Sequence, residues 1–217
     1  MKRFILFDKY NTAYDWGLVL TAKAVSDAEP KTNYQELAGV SGTIDMTESL
    51  TGEVAYSDRT LTASFSASEG TAKEREALLR KITAALHGRR VRIVEPDNPE
   101  HYLVGRVKVK NEQNSHAYST FNIEATCEPW RYAVNESERR VDVKNNRTDV
   151  VIHNDGVRAV CPVITVAGKV NITDNGATTE LTSGSYKITD IRLQPGANVI
   201  GVSGSGSVVF TYREAVL

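Results

Sequence analysis

Cysteine, methionine and tryptophan are scarce in this chain, with two of each among 217 residues. Cys127 and Cys161 both fall in strand-like apolar contexts. Two buried free thiols are expected, consistent with folding in a reducing cytoplasm; a single disulfide between two lobes is the alternative. Neither cysteine has neighbours at metal-ligand spacing. An excess of charge of either sign is also missing, with 26 basic against 27 acidic residues. A protein that mainly grips duplex DNA or an anionic membrane is therefore not expected. Long apolar runs are missing too, and nothing approaches the ~20 residues of a membrane span. The opening MKRFILFDKY is interrupted at Asp8 and Lys9, too early for a signal-peptide core, and reads as a first strand. The sequons at Asn135, Asn146 and Asn171 then read as chance matches.

Catalytic motifs are absent as well. His87, His101, His116 and His153 are scattered without HExxH spacing. There is no GxSxG elbow, no P-loop and no GxGxxG before a helix. The serine-glycine run from Gly201 to Gly206 lacks the lysine and the following helix of a phosphate loop, so it reads as a turn. No enzyme, cofactor or metal site is expected.

What is present is β pattern. Leu18 to Ala24 reads as a strand. From Thr60 to Ser66, Leu61, Ala63 and Phe65 alternate with hydroxyl residues at the period of a half-buried strand. Val91 and Ile93 alternate with Arg90 and Arg92. Beyond a turn at Pro96 to Pro99, the inward set is Leu103, Gly105, Val107 and Val109, opposed by Arg106, Lys108 and Lys110. The cations of this region, Arg89 included, read as solvated strand faces, with a local basic patch as the alternative. A loop over Asn111 to Ser115 leads to the best strand, where Phe121, Ile123, Ala125 and Cys127 alternate with polar residues.

One helix interrupts the strands, at about 72–87. Thr71 and Glu74 form a capping box, the hydroxyl and the carboxylate each satisfying the other's backbone donor. Ala77, Leu78, Ile82, Ala85 and Leu86 give it an apolar side, and Gly88 sits where a left-handed C-terminal residue belongs. After Pro129 to Asn135 the composition turns to glycine, serine, threonine and asparagine. Val141–Val143, Val150–Ile152, Pro162–Val166 and Val170–Ile172 read as separate short strands. Asn175-Gly176, Ser183-Gly184, Pro195-Gly196 and Ser203 to Gly206 read as turns. The expected domains are residues 1–133, a β-rich barrel or sandwich-like domain with one helix, and residues 134–217, a small β-sandwich.

The most informative stretch is Glu29 to Phe65. It is polar, punctuated by Gly39, Gly42 and Gly52 where turns or positive φ are expected, and it feeds the alternating strand. Asp45 and Glu48 are placed to fix turn geometry through nearby backbone N–H groups. Tyr56 and Arg59 precede the strand, and Arg59 is expected to pair with a carboxylate that fixes the hairpin. Gly39, Gly42, Asp45, Glu48, Gly52, Tyr56 and Arg59 are the candidate site: a β-hairpin built for contact.

With these pieces placed, the chain resembles the distal tail proteins of long-tailed phages, in a short form. In the first domain the resemblance rests on Pro30 to Tyr34, Gly39-x-x-Gly42 with Ile44-Asp45, Glu48, Gly52, Tyr56-x-x-Arg59, Leu86-His87-Gly88 and Cys127 to Tyr132. In the second it rests on Asn154-x-Gly156, Pro162 to Ile164, Pro195-Gly196-x-Asn198 and Val208 to Arg213. It implies a homohexameric ring at the virion tail tip, made in the bacterial host cytoplasm. The first domains would surround a channel that DNA crosses in transit, and the second would be galectin-like sandwiches. Implied partners are the tail tube protein, the tail-associated hub protein and peripheral receptor-binding or baseplate proteins, with no membrane. No large module is inserted between the sandwich strands, where some relatives carry sugar-binding domains. A carbohydrate-binding adhesin acting through the second domain is the alternative function, and another tail or secretion-tube ring component is a third.

Overall fold

The computed structural model describes residues 3–114, 117–144 and 146–217. Met1, Lys2, Ser115 and His116, on which parts of the expectations above fall, lie outside the described residues. The chain divides into two compact units, Met1–Arg131 and Tyr132–Leu217.

The first unit is an antiparallel sheet with one helix. Its strands are β1 (Leu6–Phe7), β2 (Tyr10–Asn11), β3 (Val19–Val25), β4 (Tyr34–Glu36), β5 (Thr43–Asp45) and β6 (Arg59–Ala67). The helix α1 (Ala72–Leu86) follows, then β7 (Arg90–Glu95), β8 (Asn98–Asn114) and β9 (Ser119–Cys127). Seven strands run in the order β2-β1-β7-β8-β9-β6-β3, while β4 and β5 pair only with each other. The alternation of β6 is borne out: Leu61, Ala63 and Phe65 are fully buried. Phe65 lies opposite Phe121 of β9, their rings stacked at 5.8 Å. Gly105 lies opposite Cys127, and a side chain at Gly105 would meet the Cys127 sulfur at 2.5 Å. Only glycine keeps β8 and β9 flush there.

The capping box of α1 forms as expected. The Thr71 hydroxyl accepts from the Glu74 N–H, and the Glu74 carboxylate accepts from the Thr71 N–H at 2.7 Å. Such a cap contributes about 1 kcal/mol. Gly88 follows at φ +75°, the left-handed conformation expected of it. The buried side of the helix differs from the expected one by one position. Ala77 is exposed, and Arg75 is buried with Ile82 and Leu86. Arg75 tolerates burial because its guanidinium donates to the Gly70 carbonyl at 2.6 Å and to the Ser119 hydroxyl at 3.1 Å.

The strand expected to end before Asn111 continues to Asn114, and Gln113 and Asn114 pair with Thr120 and Ser119 of β9 past a register shift. Polar side chains do not stop a strand whose backbone is paired.

β10 (Arg131–Ala133) carries the chain into the second unit. There follow β11 (Ser137–Lys144), β12 (Thr148–Asn154), β13 (Val163–Asp174), β14 (Ala177–Lys187), β15 (Gly196–Tyr212) and β16 (Ala215–Val216). The first half of β15 pairs with β12, the second half with β11, and β13 runs along its other side. Ile200, Val202, Val208 and Phe210 share one parity of β15 and are buried, as are Ile164, Val166, Val170 and Ile172 of β13. This unit has no helix to cover that face. The sheet covers itself, so its two halves make the sandwich layers.

Two expected turns and one expected gap between strands are therefore corners inside long strands. Ser203 to Gly206 lies within β15, the break between Val166 and Val170 is a bulge in β13, and Ser183-Gly184 lies within β14. At Gly206 a side chain would lie 1.9 Å from the Ala167 carbonyl oxygen, and at Gly168 2.3 Å from that of Ser205. These glycines let two doubled strands press together; they do not reverse the chain. Asn175-Gly176 is a true hairpin turn, with φ of 47° and 83° and Asp174 paired to Ala177. Asn154, fully buried, donates to the Arg158 and Leu193 carbonyls and accepts from the Gly156 N–H, tying three loop segments together.

Candidate functional site

The residues singled out in the sequence fall on one arm and its root. The stem opens where Pro30 bridges Tyr56 and the Lys31 N–H donates to the Ala55 carbonyl at 2.8 Å. Further out, Tyr34, Gln35 and Glu36 face Asp45, Ile44 and Thr43. Gly39 and Gly42 turn the tip at φ +87° and +84°, and Gly52 turns a second loop at +70°. A side chain at any of the three would meet open space, so these glycines serve backbone conformation alone.

The Asp45 carboxylate accepts from the Thr47 N–H at 2.9 Å, and the Thr47 side chain, then this N–H, hold its carboxyl below the usual range. This is the turn-fixing role expected of it. Glu48 acts through its backbone, its carbonyl accepting from the Gly52 N–H at 2.8 Å. With Asp45, Thr47, Pro30 and Val54 it lines an open groove of about 600 Å³ along the arm.

At the root the side chains turn inward. Tyr56 packs edge-on against Trp130, ring centres 5.4 Å apart. Arg59 is 6% exposed. Its Nε donates to the Pro129 carbonyl at 2.7 Å and its Nη1 to the Ser26 carbonyl at 3.2 Å. Asp27, fully solvent-exposed, is 3.9 Å away. The principal partners are thus carbonyls rather than the carboxylate expected, and they join the ends of β3 and β9 at the base of the arm. Burial, then the neighbouring Arg131, push the guanidinium below its ordinary value.

Beside it lies a buried charge cluster that motif reasoning missed. Glu95, 3% exposed, is bonded by both Lys23 and Arg131. Lys23 also reaches Asp97 at 3.0 Å, and Asp97 accepts from Arg3 at 2.7 Å. Burial pushes the Glu95 carboxyl up, and the hydrogen bonds from Lys23 and Arg131 outweigh it, leaving it below the ordinary range. Glu95 carries no motif of its own in the sequence; only the fold brings Lys23 and Arg131 to it.

The arm's outer surface is apolar. Tyr34, Leu37, Val40, Ile44 and Met46 are 41–56% exposed and Leu50 is 95% exposed. An isolated two-stranded sheet is marginal in water, and these side chains leave apolar surface of the arm exposed. The long edge strand β3 is likewise paired on one side only, with β6.

Elsewhere, among the described residues, no group of three or more His, Cys, Asp or Glu side chains could hold a metal. Both cysteines are free thiols. Cys127 is buried, and burial pushes its pKa up to about 12; Cys161 is half-buried and donates to the Ile188 carbonyl. Among the described residues, no helix is long and apolar enough to cross a membrane.

No family model matches the chain, and no curated protein matches it. Its fold does match a solved structure. It is similar to the SPP1 Dit (gp 19.1) protein, described as a paradigm of the hub adsorption apparatus in phages infecting Gram-positive hosts, with a TM-score of 0.70 and 16% identity over 99% of each chain. The likeness shows that the β-rich fold is shared over 99% of both chains.

Proposed function

We propose that the chain is a structural hub of a phage or prophage tail tip and not an enzyme. Six copies form a ring through the arm, join the tail tube to the tip or baseplate proteins, and leave a channel for DNA. The observation that supports this best is the likeness to SPP1 Dit over nearly the full length of both chains. The arm adds a physical reason: its apolar side chains need cover, and a ring of head-to-tail contacts asks each copy for two different complementary surfaces. A near-neutral chain suits a channel that DNA crosses without sticking. Partners under this proposal are further copies, the tail tube protein, the tail-associated hub protein and peripheral receptor-binding or baseplate proteins.

The adhesin alternative draws less support. Stacking on a sugar face needs an exposed aromatic platform, and in the second unit Phe210 is buried while Tyr132, Tyr186 and Tyr212 are half-buried. Negative-stain imaging of the purified protein, paired with a cell-wall glycan binding assay, separates the two. Rings with an open centre and no glycan retention support the hub. Single particles that retain glycan overturn it.

A further inference from the structure

The arm carries charge as well as apolar surface. From Glu29 to Ser57 it holds Glu29, Glu36, Asp45, Glu48 and Glu53 against Lys31 alone, although the whole chain is only −1. The compensating cations concentrate on one face of the first sheet. Arg90 of β7 lies directly opposite Arg106 of β8, on the face away from the buried Val91 and Val107. Arg92, Lys108 and Lys110 continue that face. The acids beside these cations are Asp58, Glu128, bonded to Arg90, and Glu124, bonded to Lys110. Arg92 lies over the Tyr102 ring. Arg106 donates to the Gly88 carbonyl at 2.6 Å, and Lys108 is exposed beside it. Arg90, Arg106, Lys108 and Glu128 border a groove of about 570 Å³, with Asp58 and His87 among its other walls. None of its lining residues belongs to the arm of the same chain.

We propose that the acidic, apolar arm of one copy lies on the cationic face around Arg90, Arg106 and Lys108 of the next copy. This rests on the ring reading above and names the surface that receives the arm. The sheet order supplies the geometry. The arm leaves between β3 and β6, at one lateral edge, whereas β7 and β8 lie beyond β9 toward the other. With strands ~4.8 Å apart, donor and acceptor surfaces of one copy are on the order of 10–15 Å apart across the sheet. A pair of unlike surfaces displaced in this way propagates head to tail, as a closed ring requires. Opposite charge selects the register and disfavours arm-on-arm pairing.

The test uses two full-length variants. The arm variant is Glu36→Lys/Glu48→Lys/Glu53→Lys; the face variant is Arg106→Glu/Lys108→Glu, with Lys108→Glu alone as a control that keeps the Arg106 bond to Gly88. Asp45 is left alone because it bonds the Thr47 N–H. Unchanged melting confirms that each variant folds. Mass measurement is expected to show each variant shifted toward monomer, the dissociation midpoint moving at least about tenfold for each ~1.4 kcal/mol of lost attraction. A mixture of the two is expected to assemble again in alternation, because the acidic arm of the face variant meets the intact face of the arm variant and the lysine-bearing arm meets the glutamate-bearing face. Wild-type rings are expected to weaken in about 1 M salt, where the screening length is ~3 Å. Wild-type rings with a face variant of undiminished assembly overturn the docking face and leave the ring reading standing. A wild type that forms no ring overturns both. Duplex DNA retained by the wild type and lost in a face variant that still forms rings assigns the face to nucleic acid and overturns the docking.

Discussion

The Arg59 guanidinium donates to the carbonyl of Pro129, 70 residues further along the chain, at 2.7 Å. The same side chain holds Ser26, so one buried cation closes the base of the arm over the last residues of the first unit. Removing it leaves two carbonyls without their donors and a cavity beside Trp130. Arg59→Ala is expected to cost about 2–4 kcal/mol of unfolding free energy, and Arg59→Lys somewhat less, because an ammonium reaches one carbonyl but not both. Urea denaturation checks this, and an unchanged midpoint in both variants counts against a structural role.

The Glu95 carboxylate is buried between Lys23 and Arg131, and its pKa in the folded protein is depressed. A depressed carboxyl stabilises the fold above the unfolded value of about 4.3, and the contribution is lost as pH falls through the lower folded value. Glu95→Gln is expected to lower stability at pH 7 and to flatten the loss of stability below about pH 4.3. Melting temperature measured from pH 7 down to pH 3 reads both effects. A variant whose acid loss parallels the wild type places the dependence on other carboxylates.

Two glycines separate backbone conformation from close packing. Gly39→Ala meets open space at φ +87° and is expected to cost about 1 kcal/mol, confined to the arm. Gly206→Ala drives a methyl to within 1.9 Å of the Ala167 carbonyl oxygen and is expected to unfold the second unit or cost more than about 3 kcal/mol. Denaturation followed by a probe specific to each unit distinguishes them. Equal effects at the two positions contradict the corner assigned to β15.

The same contrast shows what periodicity could and could not convey. Gly39, Gly42, Gly52 and Gly88 were legible because a local turn or cap needs positive φ, and the backbone shows it at each. Gly204 and Gly206 looked alike in sequence, but they answer to a strand more than thirty residues upstream, Ala167 to Val170, which no local pattern encodes. Leu61, Ala63 and Phe65 were legible because alternation and burial are one property of a one-sided sheet. Arg75 was not, because a charged residue on a buried helix face becomes acceptable only once Ser119 and Gly70 are brought to it. At the candidate site, the turns of the arm were legible; Arg59 was expected to pair with a carboxylate, and Asp27 stands 3.9 Å from it, but its closer partners, the Pro129 and Ser26 carbonyls, were not legible. The Lys23–Glu95–Arg131 cluster was invisible because its members lie on three separate strands, β3, β7 and β10.

The thiols offer a simple check on the packing of both units. The buried Cys127, with its pKa pushed up to about 12, stays protonated at pH 8, whereas Cys161 lines a surface pocket with Tyr132 and Lys187. Iodoacetamide at pH 8 is expected to label Cys161 and to leave Cys127 unmodified until the protein is denatured. Equal labelling in the folded state contradicts the closed core between Gly105 and Cys127.

The ring is the central proposal, and native mass spectrometry of the wild-type protein across rising concentration tests it most directly. The predicted result is a species six times the 23.8 kDa of one chain, lost when residues 33–47 are replaced by a short glycine-serine turn. A species that stays at the mass of one chain at every concentration, or a ring that survives loss of the arm, contradicts it.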